Sequence, residues 1–178
     1  MDSAARYQQL LDEIRVEFPG FQLIDKESSW LQRALARALA LATFGGQTRY
    51  LTDYVTTLGA RVYIPRGWSA RSANDRYIVL RHERVHMRQF RRWSWAGMAL
   101  AYLLLPLPIG LAWCRYRFER AAYEETLRAA SEVHGELDER LRHHIKLQFI
   151  SGAYGWMWPF PTAIDRWLDR TVATLGVG

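Results

Sequence analysis

Cysteine is nearly absent from this sequence: Cys114 is the only one. That excludes a disulfide framework and a zinc site built on thiolates, and nothing asks for an oxidising compartment. No run of five basic residues occurs, no low-complexity linker and no internal repeat. The first residues, Met1-Asp2-Ser3-Ala4-Ala5-Arg6, lead into Asp12, Glu13 and Arg15 with no apolar core, so no secretory signal is read there and a cytoplasmic setting is expected. The six prolines punctuate the chain rather than fill it.

What is present suits a globule. Of 178 residues, 49% are hydrophobic and 24% charged, which excludes general disorder. One domain over residues 1–178 is expected, burying roughly 70% of its unfolded surface without staples. The 24 basic residues, overwhelmingly arginine, exceed the 18 acidic ones and give a net charge of +6. A basic surface favours anionic partners but is as often only a solvated face.

Tyr7, Leu10, Leu11, Ile14 and Phe18 recur at helical spacing until Pro19-Gly20. Phe21 to Ile24 suits a short strand. Ser29 with Gln32 resembles a capping box before an alanine- and leucine-rich helix over 30–44. Val55 to Ile64 reads as two strands around Gly59, with Pro65 placing the second strand at an edge or ending it. Asn74 or Asp75 then caps a helix to about Trp93. Beyond it the pattern is helical, broken at Pro106 to Gly110, near Gly135 and at Gly152 to Pro161. The sum is an α+β fold: a short β-hairpin or small sheet, then a mostly helical C-terminal half.

Chemistry concentrates in Leu80-Arg81-His82-Glu83-Arg84-Val85-His86. This is His-Glu-x-x-His on a predicted helix. Residues four apart share a helix face, so the His82 and His86 imidazoles can meet one zinc ion. Glu83 lies beside a ligand without being one, placed to take a proton from the metal's water. Chance composition gives about 0.008 such matches in a chain like this.

Two histidines leave zinc short of a third protein ligand. The segment Arg117-Phe118-Glu119-Arg120-Ala121-Ala122-Tyr123-Glu124 offers Glu119 on a later helix, with Glu124, Glu125, His134, His143 and His144 as rivals. Here the sequence resembles the gluzincin metallopeptidases, in which a glutamate on a second helix completes the metal site. The run from Arg117 to Ala122 is most similar to the Arg-x-Glu-x-x-Ala-Asp segment of membrane gluzincins related to prenyl-protein proteases. The short chain also resembles minimal single-domain gluzincins. The resemblance implies a zincin-like fold, a Zn2+ cofactor held by His82, His86 and Glu119, hydrolysis of peptide or protein substrates, and Glu83 as base. It departs at Tyr123, where the family has an aspartate, and at Arg84, where it has an uncharged residue. Arg84 therefore implies a shallower helix or an acidic partner. Tyr154, in the aromatic loop before Pro161, is the expected donor to the tetrahedral oxygen, with His143 and His144 as alternatives. The strand near Arg61 to Ile64 is a candidate edge for an extended peptide.

From Trp93 to Cys114 no residue is charged. The length suits a bilayer, which needs about twenty residues, but Pro106 and Pro108 interrupt it and arginines flank both ends. A crossing would also part His82 from Glu119. A return is expected: helix, Pro-rich turn, helix, packed in a core in preference to dipping into a membrane surface. Two other readings stand beside the peptidase. One is a zinc protein of peptidase-like fold without proteolysis. The other is a basic module using Arg81, Arg84, Arg88, Arg91 and Arg92 on lipid or nucleic acid, the latter not favoured.

Overall fold

The structure, a computed structural model, describes residues 2–29, 54–103, 112–151 and 157–176. The alanine-rich helix expected over 30–44, the Gln32 half of its capping box and Tyr154 lie outside the described residues. The order of elements is α1 (Ser3–Glu17), β1 (Gln22–Asp25), a 3-10 turn (Lys26–Ser28), β2 (Thr56–Leu58) and β3 (Arg61–Ile64). A second 3-10 turn (Trp68–Ala70) precedes α2 (Ala73–Leu103), α3 (Trp113–His134), α4 (Glu139–Ile150) and α5 (Pro161–Leu175). This is the expected α+β composition, with a small sheet first and helices after it. By its contacts the chain forms two compact units, Met1–Met87 and Arg88–Gly178, divided within α2.

In the first unit, α1 buries Tyr7, Leu10, Leu11 and Ile14, the stripe its spacing predicts. The helix stops at Phe18, whose backbone is extended and whose N–H still bonds the Ile14 carbonyl at 2.8 Å. The sheet has three strands in the order β1-β3-β2. β2 and β3 are antiparallel, Leu58 opposite Arg61, so Gly59-Ala60 forms a two-residue turn. Gly59 sits at φ 63°, a conformation that costs a residue with a Cβ. β1 runs parallel to β3 with Leu23 opposite Val62.

β3 is therefore the central strand, which corrects one expectation. Its backbone is paired by β1 on one side and β2 on the other, so it offers no edge to a peptide. Val62 and Tyr63 are both buried, as a strand covered on both faces requires. Pro65 falls just after β3 ends, where its missing N–H leaves no ladder bond unmade.

The N-terminus of α2 also departs from expectation. Ser72, not Asn74 or Asp75, is the cap. Its hydroxyl accepts the Asp75 N–H at 3.0 Å and donates to the Asp75 carboxylate at 2.6 Å. α2 then presents Tyr77, Leu80, Glu83 and Met87 as a buried stripe at three- and four-residue intervals. Arg84 points off this stripe. Its guanidinium donates to Glu17 at 2.7 Å and to Glu13 at 2.9 Å, tying α2 to the end of α1. The acidic partner that Arg84 calls for in the sequence is thus on α1.

At Ser94 the helix breaks, with φ 60° and ψ 166°. The Ser94 hydroxyl accepts the Gly97 N–H at 3.3 Å and caps the piece that follows. This break matches the helix end expected near Trp93. In the second unit the chain leaves at Ser94 and is back by Phe118. The Gln89 side-chain amide donates to the Phe118 carbonyl at 3.1 Å, and the Trp93 and Phe118 rings meet edge to face at 5.7 Å. The expected return is therefore present at its base, while its Pro-rich turn lies outside the described residues. Among the described residues no helix is long and apolar enough to cross a membrane.

The rest of the second unit is a helical cluster. Tyr116, Leu127, Ile145, Phe149, Ile164 and Trp167 pack together, with Phe149 edge to face against Tyr116, Tyr123 and Trp167. Gly135 ends α3 in the left-handed conformation, Asp138 caps α4, and Pro161 occupies the first turn of α5.

Candidate metal centre

α2 places His82 and His86 one turn apart, and their Nε2 atoms stand 3.1 Å from each other. Ring centroids are 4.9 Å apart with planes at 70°, so the rings splay while the nitrogens converge. Tetrahedral zinc, about 2.0–2.1 Å from each imidazole nitrogen, needs its two nitrogens about 3.3 Å apart. The pair fits that requirement closely. The same spacing is also that of one N–H···N hydrogen bond. His86 is buried and His82 half-buried, so the pair sits at the boundary of the core, within reach of solvent on one side.

Glu83, between the two histidines in sequence, is buried. Its Oε2 accepts the Thr57 hydroxyl hydrogen at 2.7 Å. Thr57 is the middle residue of β2 and pairs with Val62 of β3, so the sheet sets the direction from which the carboxylate is held. A third group acts on Glu83. Lys26, first residue of the 3-10 turn after β1, is fully buried. Burial pushes its ammonium down from 10.5 to about 8, and the negative charge of Glu83 opposes that shift. Lys26 and Thr57 are functional candidates that the sequence did not reveal. Their signal is tertiary: they stand 57 and 26 positions from Glu83, and neither belongs to a motif.

Glu119 lies on α3, buried, in the segment the sequence singles out. Among the described residues one metal-ligating group of three emerges: His82, His86 and Glu119 each offer a ligand atom, and these atoms lie within 4.8 Å of one another. Two imidazoles and one carboxylate are a donor set that zinc accepts, and three protein ligands are the number in its catalytic sites.

The rival ligands have other surroundings. Glu124 accepts the Trp167 indole N–H at 2.8 Å and the Arg120 guanidinium at 3.2 Å. Glu125 pairs with Arg128 at 2.8 Å. His134, His143 and His144 are exposed, as solvated helix surfaces are. Tyr123, set against the family's aspartate, packs its ring 5.5 Å from that of Phe149 in the helical cluster. Set against protein-family models, curated proteins and solved structures, the chain matches none.

Proposed function

We propose that this chain is a zinc-dependent metallopeptidase of gluzincin type that hydrolyses peptide bonds in peptide or protein substrates. One observation carries the reading: two imidazole nitrogens converge at 3.1 Å on α2 while the intervening glutamate is buried and anchored by Thr57. A plain metal-binding helix has no use for a glutamate held in this way. His82, His86 and Glu119 would hold the ion. Zinc held there would supply a Lewis acid for the scissile carbonyl and for the attacking water near neutral pH. Glu83 would take a proton from the attacking water onto its carboxylate and return it to the nitrogen of the leaving amine. Tyr154 is assigned the donor to the tetrahedral oxygen. This reading calls for three protein ligands, where a structural zinc site has four.

Hydrolysis itself is the test. Protein carrying one zinc per chain is expected to cleave members of a mixed peptide library, to stop with a chelator and to resume when zinc is restored. Full zinc content with no cleavage of any peptide returns the chain to a non-proteolytic zinc protein.

We further propose that the chain works at a membrane surface. Trp93 and Trp113 are 53% and 57% exposed at the two ends of the uncharged stretch. The exposed Arg92 adjoins Trp93 in sequence, and the guanidinium of the exposed Arg117, one helical turn after Trp113, lies over the Trp113 ring at 5.6 Å. Indoles favour the headgroup level and arginines favour anionic lipid. Co-sedimentation with phosphatidylserine vesicles is expected at low salt and is expected to weaken at high salt and in Trp93→Ala/Trp113→Ala. Equal partition into the supernatant under all conditions removes the membrane from the proposal.

A further inference from the structure

Three elements meet at Glu83. The end of β1 brings Lys26, the middle of β2 brings Thr57, and α2 carries the carboxylate itself. All three side chains are buried: Lys26 at 0% exposure, Glu83 at 6% and Thr57 at 8%. A buried carboxylate without compensation is expensive, and so is a buried ammonium. Placed together they offset each other's cost, yet a pair of hydrophobic residues of similar volume would serve stability as well or better. Such a pair therefore suggests a use for the charge. Beside the two histidines, that use is available: a proton acceptor works only when its orientation and charge are set before substrate arrives.

We propose that Lys26 and Thr57 are positioning residues for Glu83, Thr57 fixing one carboxylate oxygen by its hydrogen bond and the buried Lys26 supplying the countercharge. This inference rests on the peptidase reading for its purpose, though not for its geometry. Lys26 is fully enclosed, so it acts through Glu83 and not on substrate. The downward push that burial exerts on Lys26, opposed by Glu83, agrees with two charges that depend on each other.

The test uses the full chain with 13C-carboxyl-labelled glutamate. The Glu83 signal is assigned by its loss in Glu83→Gln. In zinc-free protein that signal is expected to shift in Thr57→Val and in Lys26→Met, and to return to the wild-type position in Thr57→Ser. At full zinc occupancy, Thr57→Val is expected to lower kcat about 10- to 100-fold, what a hydrogen bond to a charged group is worth, with KM little changed. Thr57→Ser restores kcat. A general loosening of the fold would not spare KM and zinc content while shifting one carboxyl signal. Lys26→Met removes a buried charge and is the variant at risk of not folding; Thr57→Val keeps shape and volume and decides the matter alone if so. A Glu83 signal unmoved in Thr57→Val overturns the inference. If the wild type binds zinc and cleaves nothing, the peptidase reading falls, and the carboxyl signal in zinc-free protein still decides whether Thr57 and Lys26 hold Glu83.

Discussion

Glu83→Gln is expected to reduce peptide hydrolysis by about 10²–10⁴-fold, the usual contribution of a general base, while zinc content stays at the wild-type level. Glutamine has the shape of glutamate and its amide still meets the Thr57 hydroxyl, so the arrangement of α2 against β2 survives. What disappears is the site for a proton. Metal content is unaffected because Glu83 is not one of the three ligand residues and its Oε2 is engaged by the Thr57 hydroxyl. Lys26 registers the change as well. Its ammonium is held at about 8 by burial working against Glu83. With the carboxylate gone only burial remains, so Lys26 gives up its proton at lower pH and stays buried as the neutral amine. The variant therefore folds, binds zinc and fails in the proton transfer. Parallel measurement of kcat and zinc per chain separates the cases: retained activity at full zinc removes Glu83 from catalysis, and lost zinc makes it part of the ligand set.

Much of this site was legible in the sequence because its parts are local. His82, Glu83 and His86 occupy one helical turn and a half, and helical geometry alone brings the imidazoles together. The hairpin was legible for the same reason, since Gly59 between two β-branched runs specifies a tight turn. Arg84 announced an acidic partner but not which one; Glu13 and Glu17 come from α1, far away in the chain. Strand order was not legible. A parallel partner for β3 arrives from the other side of a long connection, and nothing in Arg61–Ile64 distinguishes a central strand from an edge of equal hydrophobicity. Lys26 and Thr57 were invisible for a related reason. A lone lysine after a strand and a threonine within one are ordinary surface residues until the fold encloses them. Ser72 was not legible as the cap because Asn74 and Asp75, two and three residues further on, have equal capping propensity; the hydroxyl that reaches the Asp75 N–H decides between them.

Removing a metal ligand is expected to weaken zinc binding by about 10²–10⁴-fold, one of three ligands' share of the roughly 10–16 kcal/mol with which proteins hold structural zinc. His82→Ala, His86→Ala and Glu119→Ala each delete one donor of the group whose ligand atoms lie within 4.8 Å of one another. Each is expected to lose zinc on dialysis where the wild type keeps one ion per chain. Glu124→Gln, His143→Ala and His144→Ala are expected to keep it. Glu124 is engaged with Trp167 and Arg120, and the two histidines face solvent on α4. Thermal unfolding gives the same answer independently. An ion that binds only the folded chain stabilises it by about 4 kcal/mol at a thousandfold excess over its Kd. The wild type should show that gain on adding zinc, and the three ligand variants should show little of it at the same zinc concentration. The comparison also ranks the ligands. His82 and His86 already converge on one point of α2, so losing either leaves one donor on that helix. Glu119→Ala leaves the pair intact and should retain weak binding, detectable at higher zinc. Unchanged zinc affinity in Glu119→Ala would place the third ligand elsewhere in the chain. Unchanged affinity in His82→Ala would remove the helix pair, and with it the reason to read His-Glu-x-x-His as a metal site.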